Sequence, residues 1–457
     1  MRLQPLPLIL AAALTLAASA ASAATYYVST TGNNTNNGAL STPWRDIQYG
    51  INHLAAGDTL YVRGGTYNET AITVWGKTSP GHSWYYILPY PNEKPVIDGT
   101  PIPGITPGNG IVAIGGGSEY VDFEGFEVKN GANAGILVYN ASNLYLAWND
   151  VHDNNSSGIA VTSSTSNPIG TTHDVTVEGC SVHHNVLQNQ SLNASSWQQG
   201  LSTWRATYVT FKDNYVYENF GEGLDFVCST NVTAIGNEIW DNFSVDLYLD
   251  NARYVTLDHN FIITGWSTSP SSYYRGGNPA AGIEAANENY TSGQNTLDHL
   301  TITNNIVVFC QFGFAYSNRE YGGGLHNTII SNNDFIQTTD LLLYIENGTT
   351  NVHDTTTVEN NIFRGRSTVN YSYATSTAIT YRTNCWYGGV ANTQKSGTGD
   401  VLSNPLFVND GGYDAIDYKL LNSTSPCINA GTTESAVTKD FWNASRSGVY
   451  DIGAHEF

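Results

Sequence analysis

The chain has 457 residues, a formal net charge of −21 and only 12% charged residues. So few cations among so many acids exclude nucleic acid and anionic membranes as partners. The same charge repels a polyanionic sugar unless a cation intervenes. Arg2, the apolar run from Leu6 to Ala21 and the small residues Ala21-Ser22-Ala23 predict a secretory leader over residues 1–23. Beyond it no stretch reaches the ~18 apolar residues of a membrane span, so a secreted, soluble monomer is expected.

Residues 24–70 are predicted to form an N-terminal cap and first coil. Within them, Trp44 to Leu54 carries apolar residues at helical spacing and is expected to be a short cap helix over the first coil. From residue 71 to 400 one pattern recurs: apolar, any, apolar, any, any, Asn. It runs Leu144 to Asn149, Val209 to Asn214, Val232 to Asn237, Val255 to Asn260 and Leu300 to Asn305. Looser copies end at Asn333 and Asn361, and Cys180 takes the Asn place in one copy. Val209, Val232 and Val255 are 23 residues apart, and other spacings are longer. A constant core with a variable remainder is the mark of a solenoid with loops inserted at fixed corners.

Alternation puts Val209 and Phe211 inward. The Asn column marks a bend, where amides of stacked coils can bond one another in a ladder. A second strand per coil opens with Gly and an apolar residue, as at Gly200-Leu201 and Gly223-Leu224. The fold class predicted is all-β, a right-handed parallel β-helix with a short N-terminal cap helix. Residues 401–457 form a C-terminal cap segment. Five cysteines, at 180, 228, 310, 385 and 427, show no metal spacing and read as buried core thiols.

Tyr26 to Gly32, Pro43 to Ile47 and Gly57 to Tyr67 resemble the amino-terminal cap and first coil of secreted bacterial members of the pectin-lyase-like superfamily. Ser425 to Gly431 and Asp451 to Glu456 resemble a common ending in that superfamily. The resemblance implies the β-helix over nearly the whole mature chain and a polysaccharide as substrate. It leaves the chemistry open, because the fold carries lyases, hydrolases and epimerases.

Stacking the second strands places Leu224, Leu247 and Ile283 in one inward column and Phe226, Leu249 and Ala285 in another. Asp225, Tyr248 and Glu284 form the outward column between them. Asp246 and Asp250 flank Tyr248 and are also expected to point outward. Acids stacked on adjacent strands repel one another, and such a cluster marks a functional site. The catalytic candidates are therefore Asp225, Asp246, Asp250 and Glu284. Insertions beside this face carry Trp197, Trp266, Tyr273, Tyr274 and Arg275, and Trp204 lies on the adjoining strand. With Tyr248 and Arg253 they are the expected sugar-binding residues.

Three functions fit. The favoured one is glycoside hydrolysis without a cofactor, with Asp225 and Asp246 as acid and base ~6.5–9.5 Å apart. The alternative, implied by the resemblance, is a Ca²⁺-dependent lyase. Asp225, Asp246, Asp250 and Glu284 would then be metal ligands, and Arg253 or Arg275 the base. The third is a non-catalytic glycan-binding module, which leaves the acids unexplained.

Overall fold

The computed structural model describes residues 23–69, 71–101, 109–164, 169–290, 295–317, 323–346, 353–374 and 378–457. The expected leader, Ala23 apart, lies outside the described residues. The strands form three wholly parallel sheets of 13, 11 and 12 strands, giving the right-handed β-helix. The 23-residue coil shows the plan. Thr207–Lys212 lies in the 13-stranded sheet, Tyr215–Tyr217 in the 12-stranded sheet and Glu222–Val227 in the 11-stranded sheet. The next coil begins at Thr230. The short strand of the 12-stranded sheet is the one that a two-strand reading of the repeat omits, because three residues are too few to show an alternation.

Val209, Phe211, Val216, Leu224 and Phe226 of this coil are at most 1% exposed and fill the core. Helix Ile47–His53 covers the first coil with Ile47, Gly50 and Ile51 buried. The five cysteines are all buried and unpaired with one another. Among the described residues, no helix is long and apolar enough to cross a membrane.

Two asparagine ladders pin the corners. The first runs where the repeat places it, between the 13- and 12-stranded sheets. The Asn214 amide donates to Asn237 (3.0 Å), Asn237 to Asn260 (2.9 Å) and Asn260 to Asn305 (2.9 Å). It continues through Asn333 and Asn361 to Asn384. The second ladder, at the corner between the 12- and 11-stranded sheets, joins Asn154, Asn185, Asn219 and Asn242. Each of these lies five residues after the corresponding position of the first column, 149, 180, 214 and 237.

Each buried amide is fully used. Asn237 accepts from Asn214 and donates to Asn260 and to the Phe211 carbonyl (2.9 Å). Asn237→Ala strands those partners in a dry corner. It is expected to lower the unfolding free energy by ~2–3 kcal/mol, read as a lower urea midpoint. An unchanged midpoint contradicts a structural role for the ladder.

Candidate functional site

The glycine column of the 11-stranded sheet sits against the second ladder, and it changes which residues face outward. A Cβ at Gly135 would lie 2.5 Å from the Val151 side chain, and one at Gly158 2.5 Å from that of Val182. The column therefore points into the core, as does the apolar residue after it. Strict alternation breaks there, and the residue before each glycine turns outward.

Two assignments change as a result. Asp246, expected to point outward, occupies the glycine column and is turned into the corner. Its carboxylate is fully buried and accepts from the Asn242 amide (2.9 Å) and backbone N–H (3.2 Å). It ends the second ladder, because the next coil has Gly265 where an asparagine would continue it. Burial pushes its carboxyl up to about 8. Glu222, which alternation places inward, instead lines the outer face.

The outward column is as the stacking places it: Asp225 pairs with Tyr248, and Tyr248 with Glu284. Asp250 stands two residues along from Tyr248. Glu222 and Asp225, three residues apart on one strand, interact electrostatically. Burial drives Glu222 up to about 8, and Asp225 rises for the same reason, with the Glu222 and Asp250 charges adding to it. Burial also raises Asp250, joined by the charge of Glu288. Among the described residues, neither Asp225 oxygen has a hydrogen-bond partner, and Oδ1 of Asp250 has none either.

The insertion after strand Ala281–Ala286 supplies the remaining groups. Asn251 holds it down, accepting from the Glu288 backbone N–H (2.8 Å) and donating to the Glu288 (3.1 Å) and Asn295 (3.0 Å) carbonyls. Glu288 then accepts from Tyr248 Oη at 2.8 Å, and Tyr290 Oη donates to Asp250. Trp204 meets the Tyr290 ring edge-on with centroids 5.2 Å apart. Ser317 Oγ donates to Glu284 (2.6 Å).

These groups border a cleft of about 310 Å³ lined by Trp197, Glu222, Tyr248, Arg275, Glu284 and Glu288, among others. A neighbouring recess of about 380 Å³ continues it past Arg275 and Glu284 toward Phe312. Arg275 stands over the Trp197 ring at 4.7 Å, and its backbone N–H is fixed by the Phe243 carbonyl (2.8 Å). Among the described residues it forms no ion pair.

Four expected sugar contacts lie elsewhere. Arg253 begins a strand of the 13-stranded sheet and is tied to Asp298 (3.0 Å). Trp266 packs on Trp240 and Phe261 of the 12-stranded sheet. Tyr274 is buried and donates to Asp241 (2.6 Å), and Tyr273 bonds Glu218 (3.2 Å). Asp241 also accepts from the Gly265 and Ser267 backbone, so these three rings form the base of the 265–280 loop and not a wall of the cleft. On the 12-stranded sheet, Glu127, Asp150 and His152 converge closely enough to share a metal ion. Lys94 and Lys129 already neutralise those acids, at 2.8 Å from Asp150 and 2.6 Å from Glu127.

Glu222, Glu288 and Tyr290 are the site residues that the repeat alone does not reveal. The molecule is thus a right-handed parallel β-helix with a carboxylate-rich cleft on its 11-stranded sheet. It belongs to the Pel9A-like family, whose right-handed β-helix region matches residues 26–315. Pectate lyase PEL9 of Emericella nidulans is 31% identical over 142 residues, 29% of this chain and 34% of that protein. The chain thus spans about a third of the length of this curated relative. The structure of XylC with xylose superposes with a TM-score of 0.65 at 11% identity, covering 94% of this chain and 98% of that one. Pectate lyase Pel9A gives 0.53 at 19% identity, covering 95% and 96%. At these identities the likeness to the two structures is one of fold.

Proposed function

We propose that this chain is an exported polysaccharide lyase that cleaves a uronic-acid polymer by β-elimination in the cleft of the 11-stranded sheet. The observation that carries the reading is the cluster of Glu222, Asp225, Asp250 and Glu288 beside Arg275, which forms no ion pair among the described residues. With Asp246 turned into the corner, the pair expected for hydrolysis is gone. The family, together with a relative named as a pectate lyase, supports the same direction.

The donor set suits a hard cation. Asp225, Asp250 and Glu288 offer oxygens only, three of them buried and without a hydrogen bond among the described residues, and Ca²⁺ takes six to eight oxygens. These three residues would hold it. Bound there, Ca²⁺ would draw charge from the sugar's carboxylate and acidify the adjacent C5–H.

The chain's own residues do the rest. Arg275, always charged, is placed for the uronate carboxylate and for the negative charge that develops on it, so its role is electrostatic and not that of a base. Glu222 lines the cleft with one long contact, from Gln199 (3.4 Å), and accepts the C5 proton. The C5–H electrons form the C4–C5 double bond as the C4–O bond breaks. Tyr248, kept protonated by burial and the surrounding acids, gives its hydroxyl proton to the departing oxygen. Trp197 and Trp204 offer ring faces to neighbouring sugars.

Hydrolysis stands as a second reading on one observation. Glu222 and Glu284 both line the cleft, two coils and three residues apart, ~14 Å between backbones, so their carboxyls must lean toward each other to approach the separation an inverting enzyme needs. Incubation with neutral and uronic polysaccharides, with and without Ca²⁺, separates the two. Near-ultraviolet absorbance of an unsaturated uronate is expected, and new reducing ends without it would favour hydrolysis.

Asp246→Asn keeps the acceptor that ends the ladder and removes a carboxyl from outside the cleft. It is expected to leave turnover within about twofold of wild type. A large loss with the fold intact would return Asp246 to the catalytic set.

A further inference from the structure

A second surface, on the 13-stranded sheet, carries rings where the backbone disfavours them. The second residue of seven consecutive strands there has a left-handed backbone: Tyr120 (φ 57°), Asn143 (54°), Asp174 (53°), Tyr208 (52°), Asn231 (54°), Tyr254 (52°) and His299 (55°). Asn and Asp suit that conformation because their short side chains bond the local backbone. Tyrosine has no such advantage. Side chains held at backbone cost point to a use for the side chain, and Tyr208 and Tyr254 are 59% and 44% exposed.

The register puts Asn231 between the two rings, so they stand on every second coil, ~9.6 Å apart. Beside them runs a column of threonines, in which Thr176 pairs with Thr210 and Thr210 with Thr233. Tyr208, Tyr254 and this column border an open groove of about 550 Å³. Among the described residues, the hydroxyls of Thr210 and Thr233 bond to no other protein group. Past Asp174 and Thr176 the groove continues to Tyr145 and Trp84. It spans seven strands, ~29 Å in all. Its acids are Asp174 and Asp122, and the nearest cation, Arg253 over the Tyr254 ring at 5.1 Å, is paired with Asp298 (3.0 Å).

We infer that this groove is a second glycan-binding surface, separate from the cleft, for an extended neutral chain of β-1,4-linked sugars. Adjacent coils are about one sugar apart. In such a chain alternate sugars turn the same face to one side, and rings on alternate coils meet that face. The unbonded threonine hydroxyls supply donors and acceptors for sugar hydroxyls. Two lining acids, with the nearby Arg253 already neutralised by Asp298, disfavour a polyuronate. The surface would anchor the protein on a neutral wall polymer while the cleft works on another chain, and it does not depend on which reaction the cleft performs.

The test is electrophoresis of the full chain through native gels containing soluble glucomannan, arabinoxylan, hydroxyethyl cellulose or polygalacturonate. Wild type is expected to be retarded by at least one neutral polymer. Tyr208→Ala with Tyr254→Ala should weaken that retardation at least about tenfold. Tyr208→Phe, which keeps the ring, and Tyr215→Ala, an exposed ring on the 12-stranded sheet, should not. Four results overturn the inference: no retardation of wild type by any neutral polymer, retardation only by polygalacturonate, retardation unchanged in the double variant, or retardation abolished by Trp197→Ala in the cleft. Loss in the double variant counts as support only with a wild-type circular dichroism spectrum and melting curve.

Discussion

Glu222→Gln is expected to lower the elimination rate ~10²–10⁴-fold, the usual contribution of a positioned proton acceptor. KM should move little, because the amide keeps the shape of the side chain and its contact with Gln199. The proton acceptor is thereby distinguished from Arg275. Arg275→Ala removes a charge that meets the substrate in both ground and transition states, so it should raise KM and lower kcat together, with kcat down ~10²–10³-fold. Arg275→Lys should recover only part, because lysine lacks the planar fork that lies over Trp197 and grips a carboxylate in two places. Steady-state kinetics on a uronic polymer read both variants. Full activity in Glu222→Gln would remove it from the mechanism and leave Glu284 and Glu288 as the carboxylates to change next.

The second large effect is a loss of stability with rising pH in the metal-free protein. Burial holds Glu222, Asp246 and Asp334 at about 8 each, whereas unfolded Asp and Glu titrate near ~4. Between those values the folded state binds more protons than the unfolded state, so stability falls as pH rises. It is fully present below ~4 and lost progressively toward 8, at up to ~1.4 kcal/mol per pH unit per group. The melting temperature without Ca²⁺ should therefore drop between pH 5 and pH 8. Ca²⁺ should offset the part due to the cleft and leave the part due to Asp246 and Asp334. Asp246→Asn should flatten the slope whether or not Ca²⁺ is present. A melting temperature that rises over this range would contradict the burial of these acids in protonated form.

Much of the architecture is legible because the repeat ties one residue type to one place. The Asn column identified the first corner and its ladder, the 23-residue spacing fixed the register that pairs Asp225 with Tyr248, and the Gly282-Ile283 opening of the next strand fixed the one that pairs Tyr248 with Glu284. Site assignment failed where alternation fails. At the glycine column two successive residues face the core, which sent Asp246 inward and Glu222 outward. The signal was present, since asparagines five residues after the first column mark the second ladder, and a glycine beside a buried amide has no room for a side chain. Glu288 and Tyr290 were out of reach for another reason. They belong to an insertion whose path is set by Asn251, and no periodic pattern describes an insertion. Trp266, Tyr273 and Tyr274 were placed in the cleft because their loop flanks it in sequence. Asp241 draws that loop against the other side of the corner, and the rings pack there.

The central claim is that the carboxylates of this cleft serve elimination. Mass spectrometry of the products from a uronic-acid oligomer tests it most directly. The account predicts one fragment lighter by a water than its hydrolytic counterpart, formed with Ca²⁺, suppressed by chelator and missing with Glu222→Gln. Fragments that all carry the added water, formed equally in chelator, would contradict it.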